Sequence, residues 1–336
     1  MTEISEICET AFKLTYHPIY RGSLFIHLFV SISSIIPLIY FVIFKLPKTS
    51  FHGNLKFLFS AYFVSVFLFS VDFAIISTTE ILIPLFSKHP CNLLIPDQYL
   101  KIGNTTVSIF MSLSTFFPIS ITIERFIAMK MARTYEKTRV RLGPILTGCN
   151  ILLDLLIVFF IYRDEKFDDG SISFVFFPKT LAPKMFTFFW VMFFLNLINF
   201  TFNSYLLRQS IRLKVSTSSL ATKYQREEVV HSTKFAVFVV FCHVILFGFY
   251  VIGIMILRYF GSIFIPDPAD LMATRGAFTT MISLYNLVVG SVAVYLNHLI
   301  KTRKSEEITG TVRIQATGAV GAQNYENAIF NIWNSV

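Results

Sequence analysis

Few residues in this chain can do more than pack. Glu124 and Arg125 are adjacent at the end of an apolar stretch. Opposite charges there form an ion pair whose release would free an arginine for a neighbouring helix or a partner. The plainer alternative is two side chains reaching to the water boundary. Asp72 and Asp154 are the only acidic residues well inside apolar stretches. A charge in hydrocarbon is costly, so each must face an interior or become neutral. Asp72 suits either a ligand cavity or an internal polar network. Asp154 suits packing, with Asn150 one turn away, and Glu80 is expected to be solvated at the end of its stretch. His243, Asn196, Asn199, Asn203 and Asn286 suit hydrogen bonds between helices. Asn104-Thr105-Thr106 is a glycosylation sequon. Pro118, six residues before Glu124, should kink its helix, either as a hinge or as a static bend.

Catalytic signatures are missing. There is no zinc-protease pattern, P-loop or nucleotide-binding glycine fingerprint, and Asp72 and Asp154 do not make a catalytic pair. Cys8, Cys91, Cys149 and Cys242 match no metal spacing, and His243 has no second ligand at metal spacing. The reading is a chain that is not an enzyme and needs no cofactor or metal. The net charge of +9 does not point to nucleic acid, because the basic residues lie in short segments between apolar stretches. A basic face against membrane lipids explains the excess.

The elements that position these residues are membrane spans. Of 336 residues, 54% are hydrophobic and 15% charged, and the mean hydropathy is +0.63. Apolar stretches at 22–44, 55–79, 103–129, 142–162, 182–207, 234–257 and 272–296 are each long enough to cross about 30 Å of hydrocarbon as a helix. The expected fold is therefore an all-α membrane protein, a seven-helix bundle over 22–296. The start of the fifth span is blurred by Phe174 to Lys184, which could instead dip into the membrane before the helix. Alternate polar segments hold 10 and 19 of the 29 basic residues. Basic residues favour the cytosol, so segment 1–21 is expected outside and 297–336 inside as a tail. Six or eight spans would put a basic segment on the wrong side.

A seven-span chain with its N-terminus outside resembles the G-protein-coupled receptors. Glu124-Arg125-Phe126 is similar to the acidic-arginine-aromatic motif of the rhodopsin-like class. That resemblance implies a G-protein-coupling arginine at 125, restrained by Glu124. Other rhodopsin-like features are absent. Asn286 and Tyr295 do not form the usual seventh-span signature, the sixth span has no internal proline, and the segment between the fourth and fifth spans has no cysteine. The departures fit another family. The chain resembles the nematode chemosensory serpentine receptors of the alpha/beta class, Srab, in the Sra superfamily. The resemblance rests on Phe51–Phe59, His89–Pro96, Ile121–Glu136 and the tail motif Ile314–Trp333, in that order over nearly the whole chain.

The resemblance implies a chemoreceptor in the plasma membrane of a sensory neuron, including its cilia. Its partners would be a small-molecule ligand in an outer helical cavity and a heterotrimeric G protein. The basic connection from Arg208 to Lys234 would be a docking surface for the G protein, or simply a topogenic loop. A seven-span transporter or ligand-gated channel is the alternative from another class. Cys8 and Cys91 are the only cysteines in the expected outer segments, where thiols oxidise. A disulfide between them would pin the N-terminal segment over the bundle, and the resemblance is consistent with it. Two separate thiols are the other possibility.

Overall fold

Hydrocarbon offers no hydrogen-bond partner, so an apolar chain must satisfy its backbone within its own helices. The computed structural model shows that outcome. It describes residues 2–131, 135, 139–165, 167, 173, 174, 176–178, 180–215, 220–316, 322, 323, 325 and 326. Helix α1 is Thr2–Thr15, α2 Pro18–Tyr40, α3 Gly53–Phe86, α4 Asp97–Lys130 and α5 Leu142–Tyr162. Then come α6 at Ala182–Val215, α7 at Leu220–Tyr259, the single turn α8 at Gly261–Phe264, α9 at Pro268–Phe278 and α10 at Thr280–Ala316. No strand occurs among the described residues. Seven helical segments are long and apolar enough to cross a membrane. They run past the apolar stretches at several ends, because polar residues extend a helix once its apolar part is formed.

The spans are inside-out relative to helices in water. On α5, Thr147, Asn150, Asp154, Val158 and Tyr162 are buried, three or four residues apart on one face. Leu152, Leu153, Phe159 and Phe160 are exposed, where a bilayer would meet them. On α6, Asn196, Asn199 and Asn203 form a similar buried stripe. Helix α4 is central and touches α3, α5, α6 and α7.

Prolines set the breaks. Pro18 starts α2 at a position where the missing N–H costs nothing. After Pro37 the helix widens into a π turn, Phe41–Lys45, and ends in a 3-10 turn, Leu46–Lys48. Asp267 caps α9 by accepting from the N–H groups of Ala269 and Asp270. The seventh span is not the continuous helix expected at 272–296. It begins at Pro268 and breaks at Thr279 between α9 and α10. There the Thr279 and Thr280 hydroxyls donate to the carbonyls of Gly276 and Ala277, side-chain bonds of the kind that bend helices.

The N-terminal segment is itself helical. Cys8, Ala11 and Leu14 form the buried face of α1, while Glu9 and Lys13 pair at 2.8 Å on its exposed side. The helix packs on the turn Pro90–Leu93 and on α9, and Cys8 is joined to Cys91 by a disulfide. We call this end of the bundle the N-terminal face. The opposite, far face carries residues 46–54 and 139–143, together with Tyr135. The chain divides into the unit Met1–Ala293 and a second unit, Val294–Val336, helical to Ala316. Most of the motif at 314–333 lies outside the described residues.

The disulfide closes a separation of 83 residues, so its loss should release much unfolded-chain entropy. Cys8→Ser should lower stability by about 2–4 kcal/mol. Thermal denaturation of the purified protein, with and without a thiol reductant, tests this. The reductant should lower the wild-type melting temperature and leave that of Cys8→Ser unchanged.

Candidate functional site

At the far face, Glu124 and Arg125 are 0% and 1% exposed, so they do not sit at the water boundary as two reaching side chains would. Neighbours at i and i+1 ordinarily diverge on a helix. Here the arginine folds back, and its Nε and Nη2 donate to the two Glu124 carboxylate oxygens at 2.5 and 2.6 Å. This is the bidentate geometry that guanidinium favours. Arg125 Nη1 donates to the Ser232 hydroxyl on α7. Ser232 in turn donates to the Glu228 carbonyl at 2.7 Å.

The carboxylate has a second anchor. Tyr135 donates to Glu124 Oε1 at 2.6 Å and accepts from the Asn54 amide at 3.2 Å. Asn54 Oδ1 accepts the Gly143 N–H at 3.1 Å. Gly143 must be glycine for this approach, since a Cβ there would come within 2.5 Å of the Asn54 carbonyl oxygen. Burial, and then the Glu124 carboxylate, push the Tyr135 phenol above its ordinary pKa, so it stays a donor. The network thus ties α3, α4, α5 and α7 together around one arginine. Asn54, Tyr135, Gly143 and Ser232 gave no sign of this in the sequence, because each is common and only the fold brings them together.

A cavity of about 470 Å³ opens at the N-terminal face, within the ~300–1,000 Å³ range of small-molecule sites. Phe176 and Phe177 approach it from the connection before α6. Ala182 and Phe186 come from α6, Tyr250, Ile254 and Arg258 from α7, and Met272, Arg275 and Thr279 from around the break in the seventh span. The Arg258 guanidinium lies 4.2 Å from the centre of the Phe186 ring. The connection is held by Glu80, which is buried rather than solvated. Its carboxylate accepts from the Ser173 hydroxyl at 2.7 Å, the Phe174 N–H at 2.8 Å and the Tyr20 hydroxyl at 3.0 Å. Helix α3 runs on to Phe86, which carries Glu80 inside the bundle.

Between the two ends, Tyr250 and Phe247 lead inward from the cavity to His243 on α7. His243 stacks on Phe247 with ring centres 5.3 Å apart and shares a hydrogen bond of 3.2 Å with Thr115 on α4. Asn196 also donates to Thr115, at 3.3 Å. Pro118 lies on α4 between Thr115 and Arg125. Its missing N–H leaves one turn of α4 without its ladder bond.

Other expected residues fall elsewhere. Asp72 does not line the cavity; it accepts from Thr106 on α4 at 3.3 Å, an internal contact. Asp154 bonds to Ser112 on α4 rather than to Asn150, which accepts from Ser120 at 3.0 Å. Asn104 is fully buried and donates to the Leu100 carbonyl at 3.2 Å. Helix α4 starts at Asp97, so Asn104 is inside the helix, and its side chain has no room for a glycan. Cys8 and Cys91 are bonded.

The profile of the serpentine-type seven-span G-protein-coupled chemoreceptors named Srb matches residues 16–247. Serpentine receptor class beta-7 of Caenorhabditis elegans is 51% identical over 99% of this chain and 96% of the relative. Serpentine receptor class beta-11 of the same organism is 46% identical, over 100% of this chain and 97% of the relative. Class beta-3 is 36% identical over 98% and 96%. The alpha/beta class expected from the motifs is thus matched in its beta part.

Removing Glu124 strands a buried guanidinium. Glu124→Ala should cost about 3–5 kcal/mol of stability, as for other broken buried pairs. Tyr135→Phe, which removes one neutral donor, should cost about 1 kcal/mol. Glu80→Ala strands three donors and should cost about 2–3 kcal/mol. Denaturation of the purified variants measures all three. A Glu124→Ala protein as stable as wild type would refute the buried pair.

Proposed function

The chain belongs to the Srb family of serpentine chemoreceptors, and on that footing we propose that it detects a small molecule in the N-terminal-face cavity and signals through a heterotrimeric G protein at the far face. One observation supports this reading above the others. Helix α7 lines the cavity with Tyr250, Ile254 and Arg258 and also holds Arg125 through Ser232. A ligand that shifts α7 would therefore act directly on the arginine's restraint. Loss of the Ser232 contact would loosen Arg125 from Glu124 and offer it to the G protein. Pro118 would act as the hinge of α4 between the His243–Thr115 contact and Arg125. The ligand need only favour the active arrangement by its difference in affinity for the two states.

The N-terminal face is read as extracellular and the far face as cytosolic, because the polar segments that alternate with the N-terminal one hold 19 of the 29 basic residues. Segment 1–21 is then an extracellular cover, and 297–336 a cytoplasmic tail. The ends of α6 and α7 frame the basic connection that would meet the G protein. The site of action is the plasma membrane, in the cilia of chemosensory neurons.

Ligand-free signalling tests the restraint without knowing the ligand. Ser232→Ala removes about 1 kcal/mol from the resting arrangement and should raise basal nucleotide exchange on a co-expressed G protein about fivefold. Glu124→Gln should raise it too. Arg125→Ala should abolish exchange, and Pro118→Ala should blunt any agonist response, all at matched surface expression. Signalling indifferent to Arg125→Ala would overturn the coupling role. So would solute flux or current through the purified protein in liposomes without a G protein.

A further inference from the structure

The cavity is apolar over most of its wall, yet among the described residues two arginines line it and no acidic residue does. Neither Arg258 nor Arg275 has a carboxylate partner among the described residues. The nearby acidic groups are engaged elsewhere. Asp267 caps α9, Asp270 pairs with His17 at 2.7 Å, and Glu80 holds Tyr20, Ser173 and Phe174.

The two guanidiniums are positioned differently. Arg275 is tethered by one nitrogen, with Nη2 donating to the Leu257 carbonyl at 3.0 Å. Its Nε is buried and has no hydrogen-bond partner among the described residues, which costs free energy until an acceptor arrives. Arg258 lies over the Phe186 ring. Such packing occupies the face of the guanidinium and leaves its edge, where all five N–H bonds lie, for an acceptor. The Tyr250 hydroxyl, on the same wall, makes no hydrogen bond among the described residues.

Two cations sharing an apolar cavity repel each other and would repel a cationic ligand. An anion placed between them relieves both that repulsion and the unsatisfied Nε. We propose that the cavity takes an organic anion, its apolar body seated against Phe176, Phe177 and Ile254 and its carboxylate or similar head group held by Arg275 and Arg258. This rests on reading the cavity as the receptor's ligand site. A soluble acid and the head group of an anionic lipid share this chemistry. The cavity volume of about 470 Å³ suits a small soluble acid.

The test uses the full-length protein in phosphatidylcholine nanodiscs. Probes are matched trios on one carbon skeleton, an acid with its primary amide and amine, built on 3-phenylpropionate, hexanoate, octanoate and decanoate. Saturable thermal stabilisation is the readout. Ala182→Trp fills the cavity and identifies binding that occurs there. Acids should bind at least about tenfold more tightly than their amides or amines. Arg275→Gln and Arg258→Gln should each erase that preference, and Arg275→Lys should restore part of it. Should either glutamine variant fail to fold, the acid-to-amide ratio in the wild type decides.

Amides or amines that match the acids, with binding still blocked by Ala182→Trp, would refute the anion and leave the cavity as a ligand site. Absence of any binding sensitive to Ala182→Trp would remove the cavity reading as well. Phosphatidylglycerol added to the nanodiscs separates the two sources. Unchanged acid affinity supports a soluble ligand, and strong competition overturns it in favour of a lipid head group.

Discussion

A polar group in this protein must find its partner inside the bundle, because the medium around the helices supplies none. That requirement orders the structure more than apolar packing does, since the hydrocarbon outside is as apolar as the core. It explains why the buried faces of α5 and α6 carry Asn150, Asp154 and Asn196, each bonded to α4, while Phe159, Phe160 and Phe194 point outward. The Glu124–Arg125 pair is its most demanding instance. Two full charges are removed from water within one turn of α4, and the cost is offset only because each is bonded several times over. Tyr135, Asn54, Ser232 and the Gly143 backbone are held in place by what that pair needs.

The same requirement would make the far face responsive in the proposed mechanism. A buried charge network tolerates two arrangements better than a continuum of them, because a partly satisfied network is worse than either complete one. Ser232 is the weakest member, a neutral hydroxyl holding a cation and already bonded to its own helix. Helix α7 joins this member to the cavity wall. The cavity has the opposite electrostatic character. Its arginines have no acidic partner among the described residues, unlike the arginine at the far face.

Much of the architecture was legible in the sequence. The seven apolar stretches and the fold class were readable because a span needs length and composition, not particular neighbours. Glu124 and Arg125 stood out because charges are rare beside apolar stretches. Cys8 and Cys91 stood out as the only cysteines in the expected outer segments, which left both a disulfide and two separate thiols open. What escaped depended on where helices end and what meets them. Helix α4 begins at Asp97 rather than near Gly103, which buries Asn104. Helix α3 continues past Thr79 to Phe86, which turns Glu80 from a solvated cap into an anchor. Helix α1 was missed because its apolar face of Cys8, Ala11 and Leu14 lies in a short segment with the acidic Glu9 on its other side, far from the length of a span. Arg258 and Arg275 counted only as loop charge, since nothing local shows that they face one cavity.

The bond between Cys8 and Cys91 carries a consequence for how the chain is made. The two cysteines lie before and after the first two spans, so the second is synthesised only after both spans have been. They can meet only if those spans have crossed the membrane in opposite directions, returning the chain to the side it started from. A misinserted span would leave the thiols in different compartments. The disulfide therefore closes only on a correctly threaded hairpin, and it makes that threading covalent.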